Sequence, residues 1–293
     1  MTKNTAENIL LFSIDLEDIR FLVPDGMKYT ERVPAMVNHF LRFLQERNSK
    51  ATFFVVGNVA EYYSSLAKEI IAEGHEIGCH THTHIPLDRQ TKESFSEDLL
   101  RNKDALHNLG LDEIYGFRAP GLSLTEKTKW AHEVLIEQGF KYSSSVMATD
   151  SAFHGWPGFG EEFKLIDGKL WELPPTLLPF KNFSIPFASS VYFRFLPAFV
   201  SRLALNDKFK KGLPVISYFH TFDIDWEQER FMHPDVNGRW LYNFLMYYHR
   251  KGMLDKYKSI LPDNVNMMSY IDYVEKCLVA SEEKHESKAG KLI

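Results

Sequence analysis

The sequence predicts an α/β barrel, and three observations point there. Apolar, strand-like runs alternate with helix-periodic segments along nearly the whole chain, a pattern that calls for parallel strands joined by crossover helices. Seven such runs occur, too many and too evenly spread for two separate lobes. Ionisable residues follow several of the runs at their C-terminal ends, where barrel proteins collect their chemistry. The chain also lacks the GxGxxG fingerprint of dinucleotide binders and the GKS/GKT of a P-loop, which disfavours an open nucleotide-binding sheet.

The elements follow in order. ILLFSIDL (9–16) reads as a buried strand. Residues 31–48 carry Val33, Met36, Val37, Phe40, Phe43 and Leu44 at spacings of three and four, the period of a helix with one apolar face. ATFFVVG (51–57) is strand, and 58–74 is helix stopped by Gly74. HEIGCH (75–80) is a short strand. A helix is expected over 91–110, with Thr91 as its cap and Phe95, Leu99, Leu106 and Leu109 on one face. IYGFRAPG (114–121) is strand and turn, 124–139 helix and FKYSSSV (140–146) strand, followed by LWELPP (170–175) and LPVISYFH (213–220). Residues 1–280 are expected to form one domain, with a polar, charged and disordered tail over 281–293.

Composition narrows the class of function. The chain has 293 residues, 44% of them hydrophobic, with a net charge of −5. It offers no basic field for nucleic acid. Two cysteines in that length, Cys79 and Cys277, fit a reducing compartment better than a disulfide framework. The N-terminal apolar run is too short for a signal-peptide core, and no later run is long enough to span a membrane. A cytoplasmic protein is expected. The apolar, aromatic stretch at 183–203 leaves contact with a membrane surface open, although a buried barrel segment is the plainer reading.

Four strands end in candidate site residues. The first delivers Asp15, Glu17 and Asp18, the third His80, His82 and His84, the fourth Arg118, and the last His220. Carboxylates, imidazoles and a guanidinium gathered in this way read as a metal-assisted hydrolytic site. Strand alternation would send all three histidines to one face, whereas a turn after His80 lets only some of them converge.

The motifs SIDLEDI, KATFFVVGNVAE, GHEIGCHTHTH, GFRAPGLSLT, GFKYSSSV, ELPP, YFRFLP and SYFHTFDID resemble, in order and spacing, those of the polysaccharide deacetylase (NodB-homology, carbohydrate esterase family 4-like) family. Within it they most resemble the bacterial branch linked to exopolysaccharide and lipopolysaccharide biosynthesis. The similarity runs from about residue 8 to 275 and implies an irregular (β/α)7-type barrel. It implies that His80 and His84 hold one divalent metal, zinc first with cobalt or nickel as substitutes, that the Thr81 hydroxyl supports the loop, and that His82 points elsewhere. Asp15 matches the family's base. Since Asp15 and Glu17 share a strand face, Glu17 is the expected third ligand, with Asp18 its competitor if the strand ends sooner. Arg118 is expected to keep Asp15 ionised and oriented, main-chain N–H groups near Pro120 and Gly121 to hold an oxyanion, and His220 to act as acid. The implied activity is removal of an N-acyl group, chiefly acetyl, from a sugar that is a precursor of cell-surface polysaccharide. The rivals are a metal-independent C–N hydrolase of a non-sugar substrate and an inactive carbohydrate-binding relative. One departure stands out: Ser143 occupies a position where the family usually has Asp, so Asp223 or Asp225 is expected to tune His220 instead.

Overall fold

The sheet is built around β1 (Asn8–Leu16), whose last seven residues are buried. A parallel strand covered on both faces has to be apolar along its length, as ILLFSIDL is. The computed structural model describes residues 7–151, 153–181, 183–236 and 238–279. After β1 come α1 (Val33–Glu46), β2 (Thr52–Val55), α2 (Gly57–Tyr62), α3 (Ser64–Ala72), β3 (Glu76–Cys79), α4 (Lys92–His107), β4 (Gly116–Phe117), α5 (Ala131–Glu137) and β5 (Tyr142–Ser143). Next are β6 (Lys164–Ile166), β7 (Leu170–Glu172), β8 (Leu178–Pro179) and β9 (Ser184–Ile185), then α6 (Ser190–Phe195) and α7 (Ala198–Lys210). The chain continues through β10 (Val215–His220), α8 (Trp240–Tyr247), α9 (Met253–Ile260), β11 (Val265–Met268) and α10 (Tyr270–Tyr273). The charged tail expected over 281–293 lies outside the described residues.

The curled wall runs β10–β1–β2–β3–β4–β5–β7, with every neighbouring pair parallel. These are the seven strands expected from the sequence. β6 adds antiparallel to β7, and β11 pairs with the first half of β1 while β2 takes the second half. The seam between β7 and β10 is bridged by Thr176, whose Oγ1 accepts from the Ile216 N–H at 2.8 Å. Alternation sorts the side chains of β1: Leu10, Phe12 and Ile14 face the helices, packing with Phe40, Phe43 and Val55. Leu11 faces the barrel interior with Phe54, Tyr142 and Ile216. Ser13, Asp15 and Glu17 continue that inner row toward the C-terminal end, so it changes from apolar to charged as the barrel opens.

Three expectations change in detail. The helix expected over 58–74 is two, α2 and α3, broken at Tyr63 (φ −111°, ψ 42°), whose hydroxyl donates to Asp18. The helix expected over 124–139 shrinks to α5. Before it, the Thr128 hydroxyl donates to the Ser123 carbonyl and accepts from the Thr125 N–H, each at 2.8 Å, so a tight turn replaces the first helical turns. The stretch at 183–203 is not a buried barrel segment. It forms β9, α6 and the start of α7, split at Pro197, and although Phe187 and Phe193 are buried, Phe195 and Phe199 are exposed. Cys79 and Cys277 are both free thiols. Among the described residues no helix is long and apolar enough to cross a membrane.

Candidate metal centre and active site

The end of β3 decides which histidines converge. The strand stops at Cys79, and the chain then turns through left-handed conformations at Thr81 (φ 58°) and His84 (φ 56°). Side chains there seldom adopt such angles, so something has to hold them. The Thr81 Oγ1 accepts from the His84 N–H at 3.0 Å. From α4, Asp98 accepts from the His82 N–H (2.7 Å) and the Thr83 hydroxyl (2.6 Å), while the Asn102 amide donates to the carbonyls of Val55 and Thr81. The turn brings the rings of His80 and His84 to 5.0 Å, edge to face. His82 lies instead against Gly57, where a Cβ would sit 2.3 Å from its Nδ1, so only glycine fits that approach.

Opposite the two rings stands Glu17. Its Oε1 lies 3.2 Å from His80 Nε2 and 3.1 Å from His84 Nε2. The His80 Nδ1 is 2.8 Å from the Arg118 carbonyl, an acceptor only, so Nδ1 carries the hydrogen there. In the neutral ring Nε2 then presents a lone pair to a carboxylate oxygen, which calls for a cation or a proton between them. Burial raises the pKa of Glu17, but His84, His220 and His80 outweigh it and hold the carboxyl well below the usual range. Its Oε2 is buried and has no hydrogen-bond partner among the described residues. Two imidazoles and one anionic carboxylate, with a carboxylate oxygen left over, fit a catalytic zinc set that keeps an open position.

Asp18 faces away. Its Oδ2 takes Arg20 Nη2 at 2.8 Å, Arg20 Nε at 2.9 Å and the Tyr63 hydroxyl at 2.8 Å, and all three residues are buried. The backbone stays extended past the end of β1 at Leu16, with Asp18 at φ −116° and ψ 110°, so Glu17 shares the inner face with Asp15.

Asp15 and His220 are register partners on β1 and β10, which places their side chains together. Asp15 Oδ1 is 3.1 Å from Arg118 Nη1, and its Oδ2 is 3.9 Å from His220 Nε2. Arg118 is wholly buried. It donates to Ser13 Oγ, to Ser144 O and Oγ, and to the Tyr270 hydroxyl, and it lies over the Phe54 ring at 4.5 Å. On its other side His220 Nδ1 meets Asp223 Oδ2 at 3.1 Å, and Asp223 Oδ1 pairs with buried Arg194 at 3.0 Å. Burial lowers the His220 pKa, yet Glu17, Asp223 and Asp15 together raise it to about 9. Burial raises that of Asp223, but Arg194 and His220 bring it down. Asp225 turns to Arg32 at 2.7 Å, so Asp223 is the carboxylate behind His220.

Two neighbours of the site are not legible in the sequence. Arg194 and Ser190, at the two ends of the SVYFRF turn of α6, both reach Asp223, and sequence offered only the motif YFRFLP. The turn after Arg118 needs a correction. Pro120 has no N–H, and the amides of Ala119, Leu122 and Ser123 are already bonded, which narrows the oxyanion expectation to Gly121.

The family model "Polysaccharide deacetylase" matches residues 22–142, and a domain of unknown function (DUF3473) matches 144–273. Residues 22–142 of the chain belong to the polysaccharide deacetylase family. A peptidoglycan-N-acetylglucosamine deacetylase of Bacillus cereus is 34% identical over 91 residues, which is 31% of this chain and 33% of the relative. The match thus spans about a third of that relative's length. Among solved structures, a putative polysaccharide deacetylase from Mycobacterium smegmatis aligns over 96% of this chain and 94% of its own, with a TM-score of 0.61 and 18% identity. Puue Allantoinase aligns over 94% and 93%, with a TM-score of 0.56 and 13% identity. These likenesses show the fold, the NodB-type (β/α) barrel.

Proposed function

We propose that this chain is a divalent-metal hydrolase that removes an N-acyl group, acetyl first, from an amino sugar of a cell-surface polysaccharide precursor. The observation that most supports this reading is the convergence of Glu17 Oε1 with the Nε2 atoms of His80 and His84, at 3.2 and 3.1 Å, beside Asp15 and His220. In the proposal these three side chains hold the ion, which when bound supplies an acidified water and polarises the acyl oxygen. Asp15 takes the proton of the attacking water, while Arg118 keeps it ionised and fixes its direction. His220, a cation secured by Asp223, gives its proton to the departing amine nitrogen as the C–N bond breaks. Acetate and the free amine leave. Proton transfer from Asp15 back to His220 then restores the site.

The test is metal content by mass spectrometry, together with acetate release from UDP-N-acetylhexosamines, undecaprenyl-linked N-acetyl sugars and N-acetylglucosamine oligomers. About one divalent ion per chain is expected. It should be lost in the double variant His80→Ala with His84→Ala and kept in His82→Ala. Full retention in the double variant would sink the ligand assignment. Acetate release that survives complete removal of metal would sink the chemistry.

A further inference from the structure

Away from the candidate metal centre, α8 is unusual for a helix in a folded chain. Its sequence is WLYNFLMY, yet none of its eight side chains is buried. Trp240 is 76% exposed, with Leu241 and Phe244 more than half exposed. Phe195, at the end of α6, adds to this face: it lies 6.1 Å from Tyr248, which is 5.8 Å from Phe244. Phe199 and Leu203 continue along α7, each 65% exposed. An exposed aromatic surface of this kind, linked through Phe244, Tyr248 and Phe195, marks an interaction face.

The charge around it identifies the partner. Segments 190–213 and 230–258, which carry the patch, hold eleven Lys and Arg against three acidic residues, although the whole chain carries −5. Of the eleven, Arg194 and Arg250 are buried, Lys208, Lys211 and Lys258 pair with Glu161, Asp207 and Glu46, and Lys256 bonds the Phe193 carbonyl, whereas Arg202, Lys210, Arg230 and Lys251 are exposed. Exposed Trp, Phe and Leu set among basic side chains are the composition of a surface that lies in the headgroup region of an anionic bilayer. The like charge would disfavour a second copy of the same face.

We infer that the α6–α8 face docks this protein on an anionic lipid surface. The face adjoins the site. Ser190, which opens α6, reaches His220 and Asp223. From α8, Tyr242 packs on Phe153, and the next residue, His154, bonds the Gly121 carbonyl in the turn after Arg118. Docking therefore turns the open end of the barrel toward the headgroups, where a lipid-linked amino sugar would present its acyl group. That choice of substrate rests on the proposed deacetylation, whereas the docking does not.

The experiment is co-sedimentation of the full chain, without substrate, with phosphatidylcholine vesicles and with vesicles containing phosphatidylglycerol. Binding to the anionic vesicles alone is expected, weakening as salt is raised. It should fall at least about tenfold in Trp240→Ser with Phe244→Ser, and also fall in Lys210→Glu with Lys251→Glu. Because these positions are exposed, circular dichroism should be unchanged. No binding to anionic vesicles overturns the proposal, as does equal binding to neutral ones. A dimer in light scattering that dissociates in the aromatic variant, with no vesicle binding, would assign the face to a second copy instead. Failure of acetate release leaves this readout untouched, so the two readings fail separately.

Discussion

Glu17 and Asp18 are adjacent acids with opposite surroundings, and the difference is what a substitution should expose. Glu17→Gln removes the carboxylate facing two imidazoles, so the protein should purify largely without metal and recover part of its activity in excess zinc or cobalt. Asp18→Asn should keep its metal but lose about 3 kcal/mol of stability by urea denaturation, because buried Arg20 is left with only the exposed Glu31 at 3.9 Å. The reverse pattern would return the ligand role to Asp18. His220 provides a pH test in chelator-treated protein. Its pKa is raised from 6.5 to about 9, so the imidazolium stabilises the fold fully below about 6.5 and that contribution disappears as pH rises through 9. Asp223→Asn should shift the His220 titration, followed by NMR, to lower pH and shrink the loss of stability between pH 6 and 10. At this scale the sequence was informative wherever period two governs: Asp15 and Glu17 share a face because the backbone stays extended beyond Leu16. It was silent on Arg194, whose partner Asp223 is 29 residues away and met only through tertiary packing.

At the scale of elements, α4 acts as a splint for the histidine turn. Its cap and apolar face were readable from Thr91 and from the spacing of Phe95, Leu99 and Leu106, but the task of its polar face was not. Asp98 and Asn102 look like ordinary solvent-facing residues until the turn at Thr81–His84 is laid against them. Asp98→Ala touches no proposed ligand, yet it should weaken metal affinity by about 10- to 100-fold, as loss of an orienting partner does. Isothermal titration with zinc reads this directly, and unchanged affinity would mean the turn holds its shape unaided. The helical period over 58–74 and 124–139 extends beyond the helices that form, because period alone does not register side-chain bonds that cut a helix short. Tyr63 and Thr128 make such bonds, and both contacts are long-range or rotamer-dependent.

For the molecule as a whole, seven parallel strands were legible because each is a separate apolar run. The seam was not, since Thr176 lies outside any strand and meets β10 through one side chain and one main-chain bond. Thr176→Val keeps the shape but strips the acceptor from the Ile216 N–H, and should cost about 1–3 kcal/mol in chemical denaturation. The pairing of β1 has a further consequence, for the timing of synthesis. Its partner β10 is encoded about 205 residues later and β11 about 257 residues later, with Tyr270, which steadies Arg118, just beyond β11. At ribosomal speeds of roughly 5–20 residues per second, β1 waits on the order of ten seconds or more for β10, its edge on that side unpaired throughout. The candidate site therefore cannot assemble piecemeal behind the moving ribosome, and a nascent chain halted before Tyr270 emerges should have neither a closed barrel nor a fixed Arg118.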